Sequence, residues 1–497
     1  MSDNQSTANP ISNPIKILII SVFVILISRT VADPDLWGHL RFGLDILHSS
    51  SLAQFDPYSY LSSMQPWINH EWLAEVLFAF AWTIGGTIGL ILLKTTLGFA
   101  IFYLAYLYLI KIQDSIVRGS ILLLLSYFLL FPFIRHVRPQ LFTILLFELI
   151  LLVIIQAEQG KYIWLWAAPI IMVLWVNLHG GVLAGLGILI IWAAIHLFLN
   201  LRSWKRIIPP VLISIIACLI NPYGLELMVF LLRTATVSRP EIGDWQPLKL
   251  ISVLGIAYQV TLTLSILGWI FSRREKRIPL LILFVIISIM PMVAIRHLQM
   301  FALAFLLLAG EHILDAWSRI SSSRQSTILS SKWIKFVPII AALALLVWIL
   351  PGNTKIYLPP LFPTGAVTLL KQSEVSGNLA GDFGWGEYVI WHLDPRIKVA
   401  MDGRRETVYS NTIYDKYKDF HFGTGEWDSI LEDYETHMAL VTVAQPSYNL
   451  LKMKPGWELV YEDSISALFA NQDWHQFSII KQTANNFSPP PILEYFP

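Results

Sequence analysis

The chain has 497 residues, of which 55% are hydrophobic and only 14% charged, and its formal net charge is +1. That balance excludes a soluble globule of this length and leaves a polytopic α-helical membrane protein. A charge so near zero carries no basic excess for nucleic acid, and the single cysteine, Cys218, excludes a disulfide framework and a thiolate zinc site.

Apolar runs long enough to cross a bilayer fall at 15–31, 88–110, 118–134, 139–156, 162–178, 181–200, 207–221, 250–271, 278–295, 298–316 and 334–350. They predict about eleven transmembrane helices, with twelve or thirteen as the upper reading. The first run ends at Arg29 without a cleavage site and reads as an uncleaved helix. The first outer loop, 32–87, carries DPDLWGHLR and then PWINHEWLAE. Ordering ionisable groups at a membrane surface is costly, so Asp33, Asp35, His39, Arg41, His70 and Glu71 crowded against Trp mark a functional site, the alternative being a solvated loop with belt aromatics. Interfacial helices are expected in this loop.

Basic connectors at Lys111 and Arg118, at Arg202, Lys205 and Arg206, at Arg273, Arg274, Lys276 and Arg277, and at Arg319, Arg324, Lys332 and Lys335 set the cytoplasmic side. The N-terminus is then cytoplasmic and everything after Pro351 lies outside a plasma (inner) membrane. If 70–84 crossed, these connectors would flip outward, so an interfacial or re-entrant helix is preferred there. The same topology gathers Arg135, His136, Arg138, Asn177, His179, the NPYG of 221–224, Glu241, Asp244, Trp245, Arg296 and His297 on the outer face. Singly, each suits snorkelling or capping. Jointly, they would give carboxylates, arginines and imidazoles one aqueous cavity.

The boundary at 350/351 separates a transmembrane domain, 1–350, from an extracytoplasmic α/β domain, 351–497, where KVAMDG and HMALVTV read as strands and NTIYDKYKDF and EWDSILEDY as helices. A strand pair is expected near 457–470. The basic, Ser-rich stretch at 318–333 reads as a cytoplasmic connector. There is no repeat and no Gly-rich phosphate loop.

These residue types suit a lipid-linked sugar. A departing phosphate needs cations, and Arg138, Arg135 and Arg296, with His297, are candidates to hold it. An attacking acceptor needs a carboxylate base, which Asp35 or Asp33 would supply, with Glu71 beside them. His39, Arg41 and His70 would shape the loop. Asp35, His39 and Glu71 are also ligand types for a divalent metal such as Mg or Mn, with His residues that simply hydrogen-bond as the alternative. In the C-terminal domain GDFGWGEYVIW and MDGRRETVY carry Asp382, Trp385, Glu387, Tyr388, Asp402, Arg404 and Arg405, types that bind sugars and peptides and also build turns and cores.

The segment DPDLWGHLRFGLDILHSSSLAQFDPYS resembles the first outer loop of GT-C membrane glycosyltransferases, which use polyprenyl-phosphate sugars. More narrowly, it is similar to that of the oligosaccharyltransferase catalytic subunit, with Asp35 to Arg41 matching the Asp and Arg of that loop. The resemblance implies that Asp35 is catalytic or metal-binding, with Asp33 as rival. GDFGWGEYVIWHLDPRIKVAMDGRR resembles the WWDYG region of the same family, which implies an acceptor-binding role for Trp385, Glu387, Tyr388, Asp402 and Arg404. The WWDYG string itself is absent, and RHVRPQ is basic where the family has a second acidic pair. The expectation is a cell-envelope glycosyltransferase moving a sugar from a polyprenyl-phosphate carrier to a glycan, lipid or protein acceptor on the outer face. A lipid-linked glycan ligase or polymerase, and a transporter or flippase, are the alternatives.

Overall fold

The computed structural model describes residues 12–63, 65–112, 116–237, 242–320, 336–491 and 494–496. The connector expected at 318–333 falls almost wholly outside them, as does Glu241. The chain divides into two compact units, Met1–Thr30 with Ile91–Lys355 and Val31–Leu90 with Ile356–Pro497. The first-loop residues are therefore grouped with the C-terminal segment.

Helices run, in chain order, α1 Ser12–Ser28, α2 Asp35–Ser49, α3 Trp72–Ile112, α4 Ile116–Ile134, α5 Gln140–Glu158, α6 Ala167–Leu178, α7 Val182–Leu199, α8 Trp204–Ala217, α9 Leu225–Thr236, α10 Val253–Phe271, α11 Ile278–Ile289, α12 Leu298–Ala304, α13 Gly310–Ile320 and α14 Val337–Asn353. Helix thus underlies each apolar run. Among the described residues five helical stretches are long and apolar enough to cross a membrane: Trp72–Leu109, Gln140–Glu158, Val182–Leu199, Val253–Phe271 and Ile295–Ile320. The other apolar runs are shorter helices, with Pro132 inside α4 and Pro209 and Pro210 inside α8.

Residues 298–310 of the helical unit are buried throughout, and the helix there loosens into a π turn over Phe305–Ala309. Lys94, 1% exposed, donates from Nζ to the carbonyls of Ile27 (2.6 Å) and Arg29 (2.7 Å), so a buried amine closes the open end of α1. Between α6 and α7 the turn is tight because Gly185 lies against the Trp175 ring, where any Cβ would clash at 2.1 Å.

Helix α3 is two arms. Gly86 takes φ 54° and ψ −140°, which a side chain resists, and a Cβ on Gly89 would fall 2.0 Å from the Ala81 carbonyl. Residues eight apart in a straight helix stand about 12 Å apart along its axis, so the chain folds sharply here. The stretch read as an interfacial helix and the run from 88 onward are thus separate elements.

The second unit centres on a five-stranded sheet of β1 Gly377–Gly381, β2 Ile397–Val399, β3 Met438–Thr442, β4 Trp457–Glu462 and β5 Ser466–Asn471, in the order β2-β1-β3-β5-β4. Strand β1 runs parallel to β2 and β3, while β5 is antiparallel to β3 and β4, with Leu440 opposite Leu468. Helices α15 Thr364–Ser373, α16 Gly386–Leu393, α17 Arg405–Val408, α18 Asn411–Phe422, α19 Ser429–Glu432, α20 Pro446–Met453 and α21 Phe477–Asn485 complete it. The first loop joins this unit through main chain and rings. Val399 donates to the Tyr58 carbonyl and accepts from Tyr60, both at 3.2 Å, while the Trp37 ring lies 4.5 Å from Phe362 and 5.0 Å from Tyr388.

Candidate active site

Asp35 opens α2, and the apolar face of that helix (Leu36, Trp37, Leu40, Phe42) is buried. The turn carrying His39 shares that face, so the imidazole is forced inward. Gly43 sets what it meets: a Cβ there would lie 2.1 Å from the Glu75 carbonyl, so α2 and the start of α3 touch backbone to backbone. One turn back, His39 Nδ1 lies 3.4 Å from Glu75 Oε1 and 4.0 Å from Glu71 Oε2. Asn69 donates to Glu75 Oε2 at 2.6 Å and accepts from the Glu71 amide, while His70 Nε2 lies 3.6 Å from Glu71 Oε1.

Burial alone would lower the pKa of His39. The Glu75 hydrogen bond and the charges of Glu71, Glu75 and Asp35 outweigh it and push the imidazole up to about 9. Ligand atoms of His39, Glu71 and Glu75 all lie within 4.8 Å of one another, and two carboxylates with an imidazole fit a divalent ion. Asp35, expected in that set, is not in this group. Glu75, which the sequence reading passed over, takes its place; its signal was the four-residue spacing from Glu71 at the start of a helix.

The C-terminal residues expected to meet an acceptor point inward. Trp385 and Tyr388 are buried, the indole donating to the Leu361 carbonyl at 2.8 Å. Arg404 binds Asp402 through Nε (2.9 Å) and NH2 (2.6 Å), reaches Asp56 with NH1 at 2.9 Å, and lies under the rings of Phe42, Tyr58 and Trp67. Glu387 is buried too. Burial first, then the charges of Asp35, Asp402 and Glu75, holds its carboxyl well above the usual range, with Arg404 opposing. Asp33 is buried just before α2, and Arg41 bridges Asp45 at 2.9 Å and Asp394 at 3.0 Å. A cavity of about 520 Å³ opens beside Asn69, lined also by Phe42, Asp45, His48, Tyr58 and Trp67.

In the helical unit, the candidate phosphate ligands sit at helix ends. Arg138 NH1 lies 3.5 Å from Asp244 Oδ2, and the Arg296 guanidinium lies 4.4 Å over the neighbouring Trp245 ring. The short turn Gly243–Trp245 therefore serves both arginines. It is fixed by main-chain bonds from Leu248 to Pro291 and from Ile295 to Gln246. Arg135 donates to His136 at 2.8 Å, and His297 Nδ1 lies 3.1 Å from the Met290 carbonyl. Asn177 donates to Val173 and Ile220, and His179 pairs with Thr143, so these two lock helix ends.

No family model and no curated protein matches the sequence. Solved structures do. The apo oligosaccharyltransferase of Archaeoglobus fulgidus is 12% identical, over 88% of this chain and 70% of that one, at a TM-score of 0.57. Apo ArnT from Cupriavidus metallidurans is 12% identical, over 92% and 97%, at 0.56. A mutant of the mycobacterial arabinofuranosyltransferase AftD is 14% identical, over 93% and 42%, at 0.52. Another ArnT structure holds undecaprenyl phosphate, and others of the archaeal enzyme hold an inhibitory peptide with dolichol-phosphate, or Zn and sulfate. At these identities the likeness is one of fold, the fold that these proteins share.

Proposed function

We propose that this chain is a membrane glycosyltransferase of GT-C type that moves a sugar from a polyprenyl-phosphate-linked donor to an acceptor on the outer face of the plasma membrane. The observation that carries the reading is the acid–imidazole cluster of His39, Glu71 and Glu75, with Asp35 one turn before His39 on α2, built into a fold shared with enzymes of that kind. Structures of two such proteins hold undecaprenyl phosphate or dolichol-phosphate, which supports a lipid-linked partner.

Asp35, half-buried at the start of its helix, is assigned the acceptor proton; a base in hydrogen-bond reach contributes about 10²- to 10⁴-fold in rate. Arg138 and Arg296, with Arg135 and His297 at neighbouring helix ends, are assigned the carrier phosphate, because guanidinium binds phosphate oxygens bidentately. His39, Glu71 and Glu75 would hold a divalent ion, which supplies charge neutralisation to a departing phosphate when bound. The cavity beside Asn69 has the aromatic and polar lining that sugars favour. The C-terminal segment is assigned the acceptor, with its buried Trp385, Tyr388, Asp402 and Arg404 supporting the surface from within. The proposal keeps a cytoplasmic N-terminus, the 1–350 and 351–497 division, and an extracytoplasmic C-terminal domain.

The test is transfer of radiolabelled sugar from a panel of polyprenyl-phosphate donors by the purified protein in lipid, with divalent ions added or chelated. Turnover, or slow donor hydrolysis without acceptor, is the expected result. Movement of carrier lipid between leaflets without transfer would replace the enzyme with a flippase.

A further inference from the structure

Charging a buried carboxyl costs several kcal/mol, so one inside a protein is neutral, paired or bound to a cation. Glu387 is 5% exposed, and its Oε2 has no hydrogen-bond partner. Its place is made by two glycines. A Cβ on Gly38, from α2, would fall 2.1 Å from Glu387 Oε2, and a Cβ on Gly403 would fall 2.7 Å from Oε1. That same point above Gly403 is 3.2 Å from Asp35 Oδ1, so the Glu387 and Asp35 oxygens lie within about 6 Å of each other across the space of one missing methyl. Arg404, the residue after Gly403, is already committed to Asp402 and Asp56.

We propose that Glu387 is a positioning residue for Asp35: wedged between Gly38 and Gly403, it serves as a carboxylic-acid donor that fixes the Asp35 carboxylate on the first turn of α2. The inference rests on the reading of Asp35 as the acceptor's base. It gives Glu387 a role behind the first-loop aspartate rather than on the acceptor. Burial holds the Glu387 carboxyl well above the usual range, so it keeps a proton to donate. Its hydrogen bond orients the Asp35 oxygens toward the acceptor before the proton moves.

The experiment compares the full-length wild type with Glu387→Gln, Glu387→Leu and Asp35→Asn. Glutamine keeps the shape and an N–H donor, while leucine keeps the bulk and loses the donor. The expected result is that Glu387→Leu loses about a hundredfold in kcat with the donor KM unchanged, and that Glu387→Gln recovers most of it. In parallel, the infrared difference spectrum of wild type minus Glu387→Gln contains a protonated-carboxyl band at neutral pH, and Asp35→Asn shifts that band. A glutamine variant as slow as leucine, a fully active leucine variant, a missing band or one indifferent to Asp35→Asn would each overturn the inference. A wild type that turns over no lipid-linked donor would remove the transferase reading, and the infrared band would still decide whether Glu387 donates to Asp35.

Discussion

The two units handle ionisable side chains in opposite ways. In the unit built on the sheet, carboxylates and a histidine are pressed together: Glu75, Glu387 and Asp402 are buried, and backbone contacts at Gly43 and Gly386 hold their helices close. In the helical unit the arginines sit one by one at helix ends, each resting on a local partner such as Asp244 or Trp245. The first arrangement stores electrostatic tension and suits proton or metal chemistry. The second leaves half-buried guanidinium groups on single local partners, able to trade a weak partner for a stronger anion.

Removing Arg404 probes the buried side of this contrast most severely. Arg404→Leu leaves Asp402 and Asp56 without their cation beneath three aromatic rings, and the expected loss is about 3–5 kcal/mol, read as a large drop in the melting temperature of the purified protein. A change of less than about 1 kcal/mol would mean the pair is no keystone.

His39 sharpens the comparison through pH. Its folded pKa is raised from 6.5 to about 9, so its contribution is fully present below about 6.5 and is lost as pH rises through about 9. The shift corresponds to stability on the order of 3 kcal/mol. Thermal stability should fall over that window in the wild type and stay flat in His39→Gln. Added divalent ion should flatten the wild-type curve as well, because metal and proton compete for the same imidazole.

The smallest effect belongs to the helical unit. Arg138→Ala should raise the donor KM about tenfold, roughly 1.4 kcal/mol, with little change in thermal stability, because the partner it loses, Asp244, is exposed and the 3.5 Å pair is long. A destabilised variant with unchanged KM would show that Arg138 is structural.

The helices were legible because long apolar runs admit little else in a membrane, and the Asp35/His39 pair because four-residue spacing on an amphipathic helix is a local signal. Glu75 was hidden within an apolar helix start, and only the Gly43 crossing explains why it faces His39. Arg404 with Asp56, and Glu387 with Asp35, join residues far apart in the chain. Turn-rich composition around Trp385 and Glu387 left acceptor binding and turn or core roles both open, and the structure buries the two side chains. Local pattern identifies residue types, whereas burial is settled by which distant elements pack.

The most direct test of the central claim is sugar transfer by Asp35→Asn protein that elutes and melts like the wild type. The account predicts a loss of at least about a hundredfold in turnover, with lipid-phosphate binding retained. A fully active Asp35→Asn variant would contradict it.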